Sequence, residues 1–101
     1  MECKVRCIED TQIVALSGSL DTSTAGSARP WLLDAAGKRP AQVLVDLTQV
    51  AFLDSTGLSV LVECKRLAQE NGGDLFLCGL RQPVRMVFEL TRLDRFFDIF
   101  R

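Results

Sequence analysis

The chain has 101 residues, 48% of them hydrophobic and 25% charged, which suits one globular domain around a single core. Lys and Arg total 12 against 13 Asp and Glu, a formal charge of −1 spread without blocks, so neither a basic nucleic-acid stripe nor an acidic tail is present. No apolar run approaches the ~20 residues that span a bilayer, and "MECKVRCIED" holds no signal-peptide core; a cytoplasmic protein without membrane insertion or direct nucleic-acid binding is expected.

"CKVRCIE" alternates, with Cys3, Val5 and Cys7 on one face and Lys4, Arg6 and Ile8 on the other, as in a strand. The short link "EDT" leads to a second strand-like run, "QIVALSG", and so short a link implies a hairpin. A helix is expected somewhere in residues 22–36, capped by Asp21 or Thr22. Pro30 removes one backbone bond, so the helix either kinks there or starts near it. "AQVLVDL", residues 41–47, is continuous in Val43, Leu44 and Val45 and reads as a strand buried on both faces. From Ser55 to Asn71, the apolar positions Leu58, Leu61, Val62, Cys64 and Ala68 hold a helical spacing, and Gly72 supplies a C-cap. "DLFLCGL" comes next as a strand. "PVRMVFELTRL" opens on a proline suited to a first helical turn, with Val84, Val87, Phe88 and Leu90 or Thr91 turned inward. "FFDIF" closes the order as a short strand. The pattern β-β-α-β-α-β-α-β predicts an α/β fold, a single domain over residues 1–101 with a mainly parallel mixed sheet and right-handed crossovers.

Four cysteines are scattered over three elements, with no C-x-x-C pair and no histidine, so buried reduced thiols are expected and neither metal nor cofactor. The stretch "AFLDSTGLSV" is the one that invites chemistry. A nucleophilic Ser55 would want G-x-S-x-G and a histidine base, and the chain has neither. A Ser-Lys arrangement would need a buried lysine, whereas Lys4, Lys38 and Lys65 stand in polar settings. No phosphate-binding glycine loop exists, so no enzyme is expected. Asp54 or Ser55 can cap the helix, a contribution of about 1 kcal/mol. Capping leaves Gly57 unexplained, since glycine inside a helix costs roughly 1 kcal/mol relative to alanine. It makes sense where another surface must approach the backbone closely. A phosphate on Ser55 would sit beside free N–H groups at the positive end of the helix dipole. It would add about −1.5 to −2 charges beside Asp54, enough to repel a partner with acids of its own.

"VLVDLTQVAFLDSTGLSVLV" at 43–62, with "LSGSLDTSTA" at 16–25 and "GGDLFLCGLRQPVRMVFELTRLDRFFDIF" after it, resembles the STAS domain of bacterial anti-sigma factor antagonists. The resemblance implies the STAS fold and a protein switch. In that family the serine matching Ser55 is phosphorylated by a partner anti-sigma factor that is also a serine kinase, and a PP2C-type phosphatase restores it. The unphosphorylated antagonist captures the kinase. On this resemblance Asp54 presents the hydroxyl, Ser19 and Asp21 line the adjoining docking surface, and Thr56 and Gly57 belong to the same patch; Trp31 is expected in the core. Two departures are visible. The C-terminal helix usual in the family is truncated or absent here, which leaves part of the sheet to a partner or to a second copy in a homodimer. Pro30 lies where the family runs an unbroken helix. The alternative is a structural STAS subunit, never phosphorylated, in a larger complex such as a lipid-transport ABC assembly; that role does not require Ser55. A cytosolic domain of an anion transporter ranks lower.

Overall fold

A computed structural model describes residues 1–38 and 42–100; Pro40 and Ala41, where the third strand was expected to open, and Arg101 lie outside the described residues. The elements are β1 (Glu2–Ile8), β2 (Thr11–Leu20), α1 (Ala25–Ala36), β3 (Gln42–Leu53), α2 (Ser55–Glu70), β4 (Asp74–Cys78), α3 (Gln82–Leu90), a short 3-10 turn (Leu93–Arg95) and β5 (Asp98–Phe100). This is the predicted order. No helix among the described residues is long and apolar enough to cross a membrane.

β1 and β2 form the antiparallel hairpin, closed at Glu9, whose φ of 57° is left-handed. The remaining strands join in parallel, in the order β1-β2-β3-β4-β5. Each crossover moves one strand onward in the same direction, so right-handed connections bring all three helices to one face. The core forms there: Val14, Val45 and Leu77 from the sheet are fully buried, as are Leu32, Leu61 and Phe88 from the helices. β3 therefore departs from expectation. Val43, Val45 and Leu47 are buried, but Leu44 and Asp46 between them are only half-buried, because helices cover one face alone. The strand also continues past Leu47 to Leu53. Two register shifts against β2, at Ala15/Ser17 and Gly18/Ser19, absorb its irregular second half.

α1 begins at Ala25, so neither Asp21 nor Thr22 caps it, and the helix runs through Pro30 rather than starting there. Pro30 forfeits the bond its N–H would make to the carbonyl four residues back, at Gly26. Contacts with α2 stand in for it. The Arg29 guanidinium donates to Glu63 at 2.9 and 2.5 Å, the Cys64 thiol to the Leu32 carbonyl at 3.3 Å, and the Asn71 amide to the Ala36 carbonyl at 2.9 Å. Gly72 closes α2 at φ 82°, and the Gly73 N–H returns to the Ala68 carbonyl at 2.9 Å.

Three further expectations change. On α3, Val84 and Phe88 face inward as predicted, but Leu90 is 79% exposed and Thr91 is exposed, since the inner stripe ends one turn earlier. Of the thiols only Cys64 is buried; Cys3 and Cys78 are half-buried and Cys7 is exposed on the edge strand. Burial, with the Glu63 charge adding to it, pushes the Cys64 thiol up to about 12, which leaves it protonated and unreactive at neutral pH. Lys65 is buried too, not in a polar setting: its ammonium donates to Asp74 at 2.6 Å and lies 5.5 Å from the Phe96 ring centroid. Trp31 is half-buried against the core.

Candidate functional site

The C-terminal ends of β2 and β3 leave the sheet side by side, and Asp54 fastens together the segments that continue from them. It is the N-cap of α2, with extended backbone at φ −109°, and its Oδ1 accepts from the Gly57 N–H at 2.9 Å. Its other oxygen reaches across to the β2–α1 loop, accepting from the Thr22 N–H at 3.0 Å and the Thr22 hydroxyl at 3.2 Å. The Thr22 hydroxyl gives its proton to Asp54, so the Thr56 hydroxyl, 3.2 Å away, donates to it. One carboxylate thus caps the helix and ties two loops separated by more than thirty residues.

The loop has its own fastening. Asp21 accepts from the Ser23 N–H at 2.9 Å and the Ser23 hydroxyl at 2.6 Å, while the Thr24 hydroxyl donates to the Ser19 carbonyl at 2.6 Å. Asp21 is therefore a loop-folding acid rather than the cap of α1. Donation by the Ser23 hydroxyl is the main cause that holds the Asp21 carboxyl below the usual carboxylate range, with the Asp54 charge working the other way.

Donation from the Gly57 N–H comes first among the causes that lower the Asp54 pKa, with the Thr22 donors adding to it. A carboxyl lowered in the folded state contributes stability above its unfolded pKa and loses that contribution as pH falls through the folded one. The Asp54 carboxyl carbon, followed by NMR, is expected to titrate below the ~3.9 of an unperturbed aspartate. Asp54→Asn should flatten the acid limb of stability against pH. A midpoint at the ordinary value would mean that the clasp does not hold in solution.

Ser55 is the first residue of α2 and is exposed, as is Thr56; Asp54, Asp21 and Ser19 are half-buried around them. Gly57 departs from its expected place on the contact patch. It is buried, and the surface that approaches it closely is the chain's own: a Cβ there would collide with the Leu20 carbonyl oxygen and lie 2.8 Å from the Leu20 Cγ. The glycine lets α2 start directly against β2. Sequence reasoning read Thr22 only as a candidate cap and passed over Ser23 and Thr24; the roles of all three depend on a loop crossing that no local pattern reveals. It also passed over Phe52, which pairs with Ser19 and is 50% exposed beside the clasp.

No lysine among the described residues reaches the Ser55 hydroxyl as a base. Lys65 lies ten residues further along the same helix, roughly 15 Å away, and is held by Asp74. A groove of about 480 Å³ lies between α1 and α2, lined by Leu33, Ser59, Val62 and Leu67 among others. What the site offers is an exposed hydroxyl at a helix N-terminus, framed by two acids and a half-exposed phenylalanine.

The family model described as the STAS domain matches residues 2–101. The chain is 29% identical over 89 residues to the anti-sigma F factor antagonist of Paenibacillus polymyxa, covering 87% of this chain and 76% of that protein. It shares its fold with an anti-sigma factor antagonist from Mycobacterium paratuberculosis, with a TM-score of 0.88 and 24% identity over 98% of this chain and 84% of that one. The Bacillus cell fate determinant SpoIIAA in its phosphorylated form superposes with a TM-score of 0.72 at 18% identity, over 99% of this chain and 92% of that one.

Proposed function

The chain belongs to the STAS domain family, and we propose that it serves there as an anti-sigma factor antagonist switched by phosphorylation of Ser55. The observation that carries the reading is the state of the hydroxyls around the start of α2. Thr22, Ser23, Thr24 and Thr56 are each engaged in a hydrogen bond. The Ser55 hydroxyl is exposed and makes none among the described residues. A kinase could take it without dismantling the clasp.

Unphosphorylated, the chain docks in the cytoplasm on an anti-sigma factor that is also a serine kinase, through Ser19, Asp21, Asp54, Ser55 and Thr56. Phe52 gives that surface an apolar anchor of the kind that dominates interface energies. Phosphorylation puts about −1.5 to −2 charges at the N-terminus of α2, where the helix dipole welcomes an anion, so the antagonist's own fold is undisturbed. The same charge lands beside Asp54 and Asp21, and the kinase surface that tolerated two acids is repelled by a third anion. A PP2C-type phosphatase resets the switch. The Paenibacillus relative, an anti-sigma F factor antagonist, and the existence of SpoIIAA in a phosphorylated form support this reading.

Calorimetry against the anti-sigma factor of the same organism tests it. Ser55→Ala should bind like the unmodified protein and resist release by ATP, while Ser55→Glu should bind at least about tenfold more weakly. Equal affinity across all three forms would remove Ser55 from the interface.

A further inference from the structure

The face of the sheet turned away from the helices carries a cross-strand row with opposite charges at its two ends. Register pairs run from Arg6 on β1 to Ile13 on β2, Leu44 on β3, Phe76 on β4 and Asp98 on β5. The residues that alternate with them, among them Val14, Val45 and Leu77, are fully buried under the helices, which puts the row on the uncovered face. Ile13, Leu44 and Phe76 are half-buried, and none packs against the core cluster. Phe100, its ring 5.6 Å from that of Phe76, is 54% exposed. Arg6 and Asp98 are both exposed, and neither forms an ion pair among the described residues. Four strand spacings of ~4.8 Å keep them roughly 19 Å apart within one chain.

We propose that this face binds a second copy of the chain, in a two-fold dimer whose axis runs parallel to the strands along β3. Such an axis reverses the strand order and preserves height along the strands. Arg6 of one copy then stands opposite the partner's Asp98, Ile13 opposite the partner's Phe76, and Leu44 meets its own counterpart. A two-fold axis across the strands would instead set Arg6 against Arg6 and Asp98 against Asp98. The charge pattern therefore selects the first arrangement, an isologous contact between aligned sheets. The row above it runs Lys4, Ala15, Asp46, Cys78, Phe100. There the axis brings Asp46 toward its own copy, an unfavourable pairing. The Thr48 N–H and hydroxyl, donating to that carboxylate at 2.9 and 2.5 Å, turn it back toward its own backbone. Ser55 lies beyond Leu53, roughly 30 Å along β3 from Leu44, so the dimer leaves the clasp open, and the inference does not depend on the phosphorylation reading.

Sedimentation equilibrium from low to several hundred micromolar tests the arrangement, with circular dichroism to show that each variant is folded. The wild type should dimerise. Arg6→Glu or Asp98→Lys alone should raise the dissociation constant about tenfold or more, since each reverses two contacts, and the two together should restore it. Asp46→Asn should tighten the dimer. A monomer at every concentration overturns the proposal. A dimer indifferent to all of these substitutions overturns it and puts the contact between copies elsewhere.

Discussion

Asp74→Ala is expected to destabilise the protein by about 3 kcal/mol. The Lys65 side chain is only 3% exposed, and Asp74 holds its ammonium at 2.6 Å. Without that carboxylate the cation keeps the Leu75 carbonyl at 3.4 Å and the faces of Phe96 and Phe97. Neither replaces a counter-charge, and an unpaired buried charge costs about 3–5 kcal/mol. The low end applies because the Asp74 side chain is 28% exposed and water can reach the site. A second substitution, Lys65→Met, removes the stranded charge while filling its volume, so the double variant should recover most of the loss. Urea unfolding of the two variants measures this. A double variant as unstable as Asp74→Ala alone would show that the pair matters for its packing and not for its charge.

Gly57→Ala ranks next. Alanine is favoured over glycine inside a helix by roughly 1 kcal/mol. Against that gain stands a methyl driven into the Leu20 carbonyl oxygen and 2.9 Å from the Leu53 Cδ1. The first is a backbone atom at the C-terminal end of β2, where the Asp54 N–H also donates to it at 3.3 Å, and it cannot swing aside, so α2 must lift off β2 at its first turn. Overpacking of this kind costs about 3 kcal/mol, and the clash wins by about 2 kcal/mol. A fall of about 10 °C in the melting temperature should result in a domain of this size. Lifting α2 also pulls Asp54 away from Thr22, so the Asp54 carboxyl should move back toward its ordinary titration range in the same variant. A melting temperature equal to or above the wild type would mean that α2 starts more loosely against β2 than the Leu20 contact implies.

Element order and the start of α2 were legible because both rest on short-range signals. Alternation in "CKVRCIE", helical spacing after Ser55, and the proline and glycines at element ends each identify a piece of the fold without reference to the rest. The D-S-T-G step marked the start of α2 in the same way. What escaped is what depends on distant segments meeting. Lys65 falls at the right spacing to join Leu61, Cys64 and Ala68 on the buried stripe, but a charge reads as solvated until β4 brings Asp74 beneath it. Gly57 was expected where another surface approaches the backbone closely, and that surface is the Leu20 carbonyl, which arrives from a strand more than thirty residues earlier. The expected third strand covers "AQVLVDL" to Leu47; pairing with β2 through two register shifts carries β3 on to Leu53. That extension sets Asp54 level with Thr22 and so creates the clasp. The continuous apolar run in β3 suggested two covered faces, but a sheet whose strands succeed one another in order receives its helices on one side only.

The measurement closest to the central claim is intact-mass analysis with phosphosite mapping of the protein recovered from its native cells, beside a strain carrying Ser55→Ala. The account predicts a species heavier by one phosphate, localised to Ser55 and missing from the variant strain. A chain left unmodified at Ser55 under every growth and stress condition, with the Ser55→Ala strain fully functional, would contradict it and leave a STAS domain that works as a fixed structural subunit.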